Sequence, residues 1–159
     1  MFHTEHYTES KAQNYELVIR QLQALLEGES DRIANLSNSS ALLNQFLDDI
    51  NWVGFYVYRD GELVLGPFQG LPACVRIPLN RGVCGKAAAE RTTVRVANVH
   101  EFPGHIACDA ASQSEIVIPI VKDGELVGVL DIDSPLLDRF DEEDQHYLEK
   151  FVARLNLHL

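Results

Sequence analysis

Three thiols, Cys74, Cys84 and Cys108, and a small set of acidic side chains are the residues here that could do chemistry. Cys108 lies in "GHIACDAASQSEIVIPI", between small and polar residues that read as an exposed loop. A buried structural cysteine normally sits inside an apolar run, where it behaves as a small hydrophobe. His105, three places before Cys108, could stabilise a thiolate, whereas Asp109 opposes one. Cys84, in "RGVCGKAAAE", falls near a helix N-terminus, where the dipole favours a thiolate, and local physics alone makes it the best reactive thiol. Cys74 follows the loop "GLPA" and precedes a strand. An odd number of cysteines without a C-x-x-C pair argues against a structural disulfide framework, leaving inert core thiols, redox chemistry or metal binding.

Asp131 and Asp133, in "LDIDS", are two apart on a strand and so share a face. Glu115 opens the preceding strand, and its position depends on the turn at Asp123-Gly124. A two-residue loop sets Glu115 opposite Ile132; a three-residue loop sets it opposite Asp133. The three-residue loop is preferred, because Val117, Pro119 and Val121 then share a face with the carboxylates. Three converging carboxyls would bind a cationic group, and mutual repulsion would keep one of them protonated. In "NWVGFYVYRDGELVLGPF", alternation sends Val53, Phe55 and Val57 to a core face. Trp52, Gly54, Tyr56 and Tyr58 take the other face, as aromatics beside a space-making glycine could line a ligand pocket.

A metal reading competes. His100, His105 and Cys108 form H-x4-H-x2-C in one loop, and Asp109 or Cys84 could complete a zinc shell. There is neither a Gly-rich phosphate loop nor a G-x-S-x-G elbow.

The elements that must position these residues follow from periodicity. Ser10 and Gln13 match a capping box, ahead of a helix with Tyr15, Val18, Ile19, Leu22, Leu25 and Leu26 on one stripe and Gly28 as its stop. A second helical pattern carries Ile33, Leu36, Leu43, Phe46, Leu47 and Ile50, and is weakened at "SNSS". From residue 51 the period becomes two, with hairpins turning at Asp60-Gly61 and Asp123-Gly124. Between them come "CVRIPL", a short helix "GVCGKAAAER", a strand "TTVRVA" and the Cys108 loop. A last helix starts at Asp141, with Tyr147, Leu148, Phe151, Val152 and Leu155 as its stripe. This order predicts one α+β domain over 1–159: a helical segment about 10–48, a sheet and pocket about 51–134, and a C-terminal helix about 141–157. The N- and C-terminal helices should pack on one face of a central antiparallel sheet, leaving the other for a ligand pocket.

The 159 residues, 46% hydrophobic and 23% charged, suit a globular domain of this kind. A net charge of −11 disfavours nucleic-acid binding. With no apolar run of membrane-spanning length and no secretory pattern at the start, a cytoplasmic location without membrane contact is expected.

"INWVGFYVYRDGELVLGPFQGLPACVRIPLNRGVCGKAA", "IACDAASQSEIVIPI" and "GVLDIDSPLLDRFDEED" resemble the free methionine-(R)-sulfoxide reductases, which are stand-alone GAF domains. The resemblance spans almost the whole chain. It implies thiol-dependent reduction of free L-methionine-(R)-sulfoxide to methionine, with no resident cofactor. By motif, Cys108 corresponds to the nucleophile, which becomes a sulfenic acid, and Cys74 to the thiol that closes a disulfide with it. Cys84 corresponds to a third cysteine, a candidate for recycling. Glu115, Asp131 and Asp133 match the polar substrate pocket, and Trp52 and Tyr56 its aromatic wall. The resemblance overrides the local preference for Cys84. It also implies thioredoxin as the external dithiol and a homodimer paired through the terminal helices. A non-catalytic GAF sensor and a zinc-binding domain are the alternatives.

Overall fold

The structure, a computed structural model, describes residues 1–106 and 108–159. Helices α1 (Lys11–Leu26) and α2 (Arg32–Phe46) lead into strands β1 (Trp52–Arg59), β2 (Glu62–Gly70) and β3 (Arg76–Pro78). Helix α3 (Gly82–Glu90), β4 (Val94–Val96), a 3-10 turn (Val99–Glu101), β5 (Ser114–Lys122), β6 (Glu125–Ser134) and α4 (Glu142–Asn156) complete the chain. The six strands form one antiparallel sheet in the order β3-β2-β1-β6-β5-β4, which is the predicted α+β architecture.

The predicted helix starts are present. Ser10 and Gln13 form the capping box of α1, and Asp141 and Asp144 form one at α4. Helix α2 runs unbroken through "SNSS", because the Ser39 and Ser40 hydroxyls donate back to the Asn35 and Leu36 carbonyls. Ile33 departs from expectation and faces outward, leaving Leu36, Leu42 and Leu43 as the buried stripe.

Two apolar layers flank the sheet. Helices α1, α2 and α4 press Tyr15, Leu22, Leu43, Leu148 and Phe151 onto Val53, Phe55, Ile116, Ile118, Leu130 and Ile132. Each fully buried side chain of this size contributes about 1.5–3 kcal/mol. Buried Asp144 joins α1 to α4, accepting from the Tyr15 hydroxyl at 2.6 Å and from Lys11 at 2.8 Å. On the opposite face α3 packs Val83, Ala87 and Ala88 against Tyr56, Val117 and Val129. The terminal helices therefore share one face as expected, while α3 helps to wall the other.

Both hairpins turn through two residues with positive φ, Asp60-Gly61 and Asp123-Gly124, the geometry of a type I′ turn. The three-residue loop expected at the second hairpin is therefore wrong, although the register it was invoked to produce is right. Lys122 pairs with Glu125 and Val121 with Leu126, but Ile120 pairs with Gly128. The extra residue is a β-bulge at Val127 rather than a longer turn. The bulge lets Val127 pack with the helical layer and Leu126 with the opposite one. Beyond it the ladder sets Glu115 against Asp133, and Val117 against Asp131. Gly128 makes this possible: a Cβ there would collide with the Tyr56 carbonyl of β1.

Candidate active site

The face of the sheet away from the terminal helices holds a pocket at one end of its central strands. Trp52 and Tyr56 come from β1, Glu115 from β5, and Asp131 and Asp133 from β6. Cys84 comes from the first turn of α3, and Cys108 and Asp109 from the loop before β5. These predicted residues therefore meet in one cavity. Cys74 joins them through a disulfide to Cys108, with Cα atoms 5.8 Å apart. The bond ties the loop after β2 to the loop before β5 across the pocket. In this oxidised form the cavity is about 40 Å³, room for a few waters.

Strand alternation and the bulge bring the three carboxyls together, each offering an oxygen within 4.8 Å of the others. Burial raises Glu115 and Asp131 well above ordinary carboxyl values, and repulsion from neighbouring carboxylates adds to it. Asp133 is pushed up to about 6 by burial, with a hydrogen bond to Glu115 opposing the shift. No Lys or Arg among the described residues forms an ion pair with the trio. One oxygen each of Asp131 and Asp133 is buried without a hydrogen-bond partner. Such a trio carries fewer than three charges at neutral pH. It offers unused acceptors to a cationic group and at least one proton to donate.

These raised values make a stability prediction. The folded chain holds protons on the trio that the unfolded chain has released. That contribution is complete below the ordinary value of 3.8 for Asp133 and is lost as pH rises through about 6. Asp133→Asn removes this loss. Urea unfolding of the disulfide-bonded protein should show the variant gaining on the parent between pH 4 and 7. A constant difference across that range would contradict the raised value.

The thiolate expected at Cys84 is not supported. Although Cys84 lies in the first turn of α3, it is 5% exposed and faces the acidic trio. Desolvation, then the charges of Asp131 and Glu115, push its pKa well above that of a free thiol and outweigh the helix dipole. It is a protonated thiol beside Asp131. The His100–His105–Cys108 metal set does not assemble either. Cys108 is bonded to Cys74, and Glu115, Asp131 and Asp133 are the grouped ligand types among the described residues.

The tryptophan and tyrosine do more than form a wall. The indole Nε1 of Trp52 donates to the Leu71 carbonyl at 3.2 Å, and the Tyr56 hydroxyl donates to the Cys74 carbonyl at 2.9 Å. Sequence reasoning missed Asn51, whose amide donates to Asp109 at 2.9 Å and to Ser112 at 3.1 Å. Asp109 in turn accepts from the Ala111 amide, which shapes the turn after Cys108. The only available signal was an amide side chain directly before an aromatic strand.

A GAF domain family profile matches residues 18–159. Protein YtsP of Bacillus subtilis is 59% identical over 157 residues, covering 98% of this chain and 96% of the relative. The free methionine-R-sulfoxide reductase of Escherichia coli is 53% identical over 146 residues, covering 92% and 88%. The crystal structure of free methionine-R-sulfoxide reductase from Neisseria meningitidis in complex with its substrate superposes with a TM-score of 0.93 at 45% identity, covering 99% of this chain and 95% of that one.

Proposed function

The chain belongs to the GAF domain family and, within it, to the free methionine-R-sulfoxide reductases, and we propose that it reduces free L-methionine-(R)-sulfoxide through Cys108 and Cys74. The observation that carries this reading is the Cys74–Cys108 bond closing over a buried carboxyl trio inside one pocket. While Cys108 is bonded to Cys74 it has no thiol to attack with, so reduction of the bond precedes turnover.

In the reduced form the substrate ammonium pairs with the charged members of Glu115, Asp131 and Asp133. Trp52 and Tyr56 flank the apolar end of the side chain. A sulfoxide sulfur is a weak electrophile until its oxygen is protonated or hydrogen-bonded, and the protonated carboxyl supplies that proton. The Cys108 thiolate attacks sulfur, the oxygen passes to Cys108 as a sulfenic acid, and methionine leaves. The Cys74 thiol then attacks the sulfenic sulfur: the S–S bond forms, the S–O bond breaks, and water departs. An external dithiol of the thioredoxin kind regenerates both thiols by exchange, so no resident cofactor is required. Such recycling suits a reducing, cytoplasmic setting. The apolar stripes of the terminal helices are buried in the chain's own core, so a homodimer would pair through other residues.

Steady-state assays with dithiothreitol on the separate epimers of free methionine sulfoxide test the reading. Methionine should form from the R epimer, with the S epimer and sulfoxide held within a peptide at background. Equal use of peptide-bound sulfoxide would overturn it.

A further inference from the structure

Both cysteine loops are tied to the head of β1, but by different groups. On the Cys108 side, the Asn51 amide holds Asp109 and Ser112. On the Cys74 side, the Trp52 indole holds the Leu71 carbonyl and the Tyr56 hydroxyl holds the carbonyl of Cys74 itself. Trp52 and Tyr56 stack on each other with ring centroids 5.9 Å apart, and Trp52 stacks on Phe68 of β2 at 5.1 Å. The hydrogen-bond donors therefore project from a packed aromatic stack in the centre of the sheet. Gly70, where β2 gives way to the loop, has φ +144, and a Cβ there would stand 2.5 Å from the Trp52 ring. Leu71 and Val75, on either side of Cys74, are 64% and 61% exposed and bury little. Ala73 and Cys74 pack against the pocket-side layer and the Val75 carbonyl accepts from the Leu65 amide, while the side-chain bond made to Cys74 itself comes from Tyr56.

We propose that Tyr56, supported by Trp52, is a positioning residue for Cys74: its hydroxyl holds the Cys74 backbone where the sulfur meets Cys108. Disulfide closure is an intramolecular reaction, and its rate and equilibrium rise with the fraction of time the two sulfurs spend within bonding reach. A loop held at the cysteine's own carbonyl spends less time elsewhere. Burial raises the Tyr56 phenol above its ordinary value, so it remains a donor throughout the pH range in which thiols react. This role rests on the proposed sulfenic acid pathway for its biological use, but the geometry it asserts can be tested without substrate.

Tyr56→Phe keeps the aromatic stack and removes only the hydroxyl. The parent and variant are equilibrated in dithiothreitol redox buffers, and the fraction carrying the Cys74–Cys108 bond is read by mass after thiol alkylation. Loss of one such hydrogen bond should shift the equilibrium toward the reduced form by roughly threefold to tenfold. The sulfenic acid at Cys108, formed with one equivalent of free methionine-(R)-sulfoxide and trapped with a dione probe, should persist longer by a similar factor. Urea unfolding of both reduced proteins shows whether the fold itself is intact. Asn51→Ala, which frees the other loop, provides a second variant expected to shift the equilibrium in the same direction. An equilibrium within twofold of the parent's in Tyr56→Phe would overturn the proposal. A shifted equilibrium in Tyr56→Phe, with a parent protein that makes no methionine, would support the anchor and overturn the reductase reading instead.

Discussion

Cys108→Ser should abolish methionine formation, lowering turnover by at least about a thousandfold, while Cys74→Ser should still release methionine in its first turnover. A hydroxyl in place of the thiol is a far weaker nucleophile toward sulfur, and loss of a nucleophile typically removes most of an enzyme's rate enhancement. Cys74, in this account, acts only after methionine has left. Its absence leaves a sulfenic acid on Cys108 that must wait for an external thiol. The two variants should therefore differ in kind: one shows no burst, and the other shows a burst followed by slow recycling. Rapid-quench measurement of methionine in the first turnover separates them. A full burst from Cys108→Ser, or none from Cys74→Ser, would reverse the assigned roles. Their 5.8 Å Cα separation is compatible with either order of attack, so this experiment decides the order.

The second large effect concerns the amino group of the substrate. N-acetylation removes the ammonium and leaves the acidic trio without its cation. The Asp131 and Asp133 oxygens that have no partner in the protein would stay unsatisfied in a buried site. Removing one side of such a buried charged pair costs about 2–5 kcal/mol, and the blocked substrate should lose at least roughly thirtyfold in kcat/KM. Asp133→Asn removes the carboxyl whose value is pushed up to about 6. It should lower kcat/KM for the free amino acid by a similar factor and narrow the gap between free and blocked substrates. The narrowing is the diagnostic part, because a general loss of pocket shape would lower both. Comparable turnover of blocked and free substrate by the parent would remove the trio from amino-group recognition.

Strand faces could be read from alternation alone, because burial on both sides of β1 follows a strict period of two: Val53 and Phe55 to the helices, Trp52 and Tyr56 to the pocket. The Glu115–Asp133 pairing was reached through the wrong device. A bulge at Val127 has no distinctive residue type, and only Gly128 beside it marks the close approach of β1. The chemistry of Cys84 was misread because a helix terminus is visible in sequence, whereas desolvation and two facing carboxylates exist only once β5 and β6 are paired. Asn51 and Ser112 were overlooked, and Asp109 was weighed only as a charge and a zinc ligand, for a related reason. Their hydrogen bonds span 58 and 61 residues, and no local pattern announces such partners. The hydroxyl of Tyr56 was likewise hidden behind the bulk of its ring, which accounts for its place in the pocket but not for its bond to Cys74.

The most direct measurement begins with fully reduced protein and one equivalent of free L-methionine-(R)-sulfoxide, with no other reductant. Methionine is quantified, and the remaining thiols are alkylated and mapped by mass spectrometry. The account predicts about one methionine per chain, Cys74 and Cys108 joined, and Cys84 alkylated. Methionine formation with a bond to Cys84, or loss of thiols with no methionine released, would contradict it.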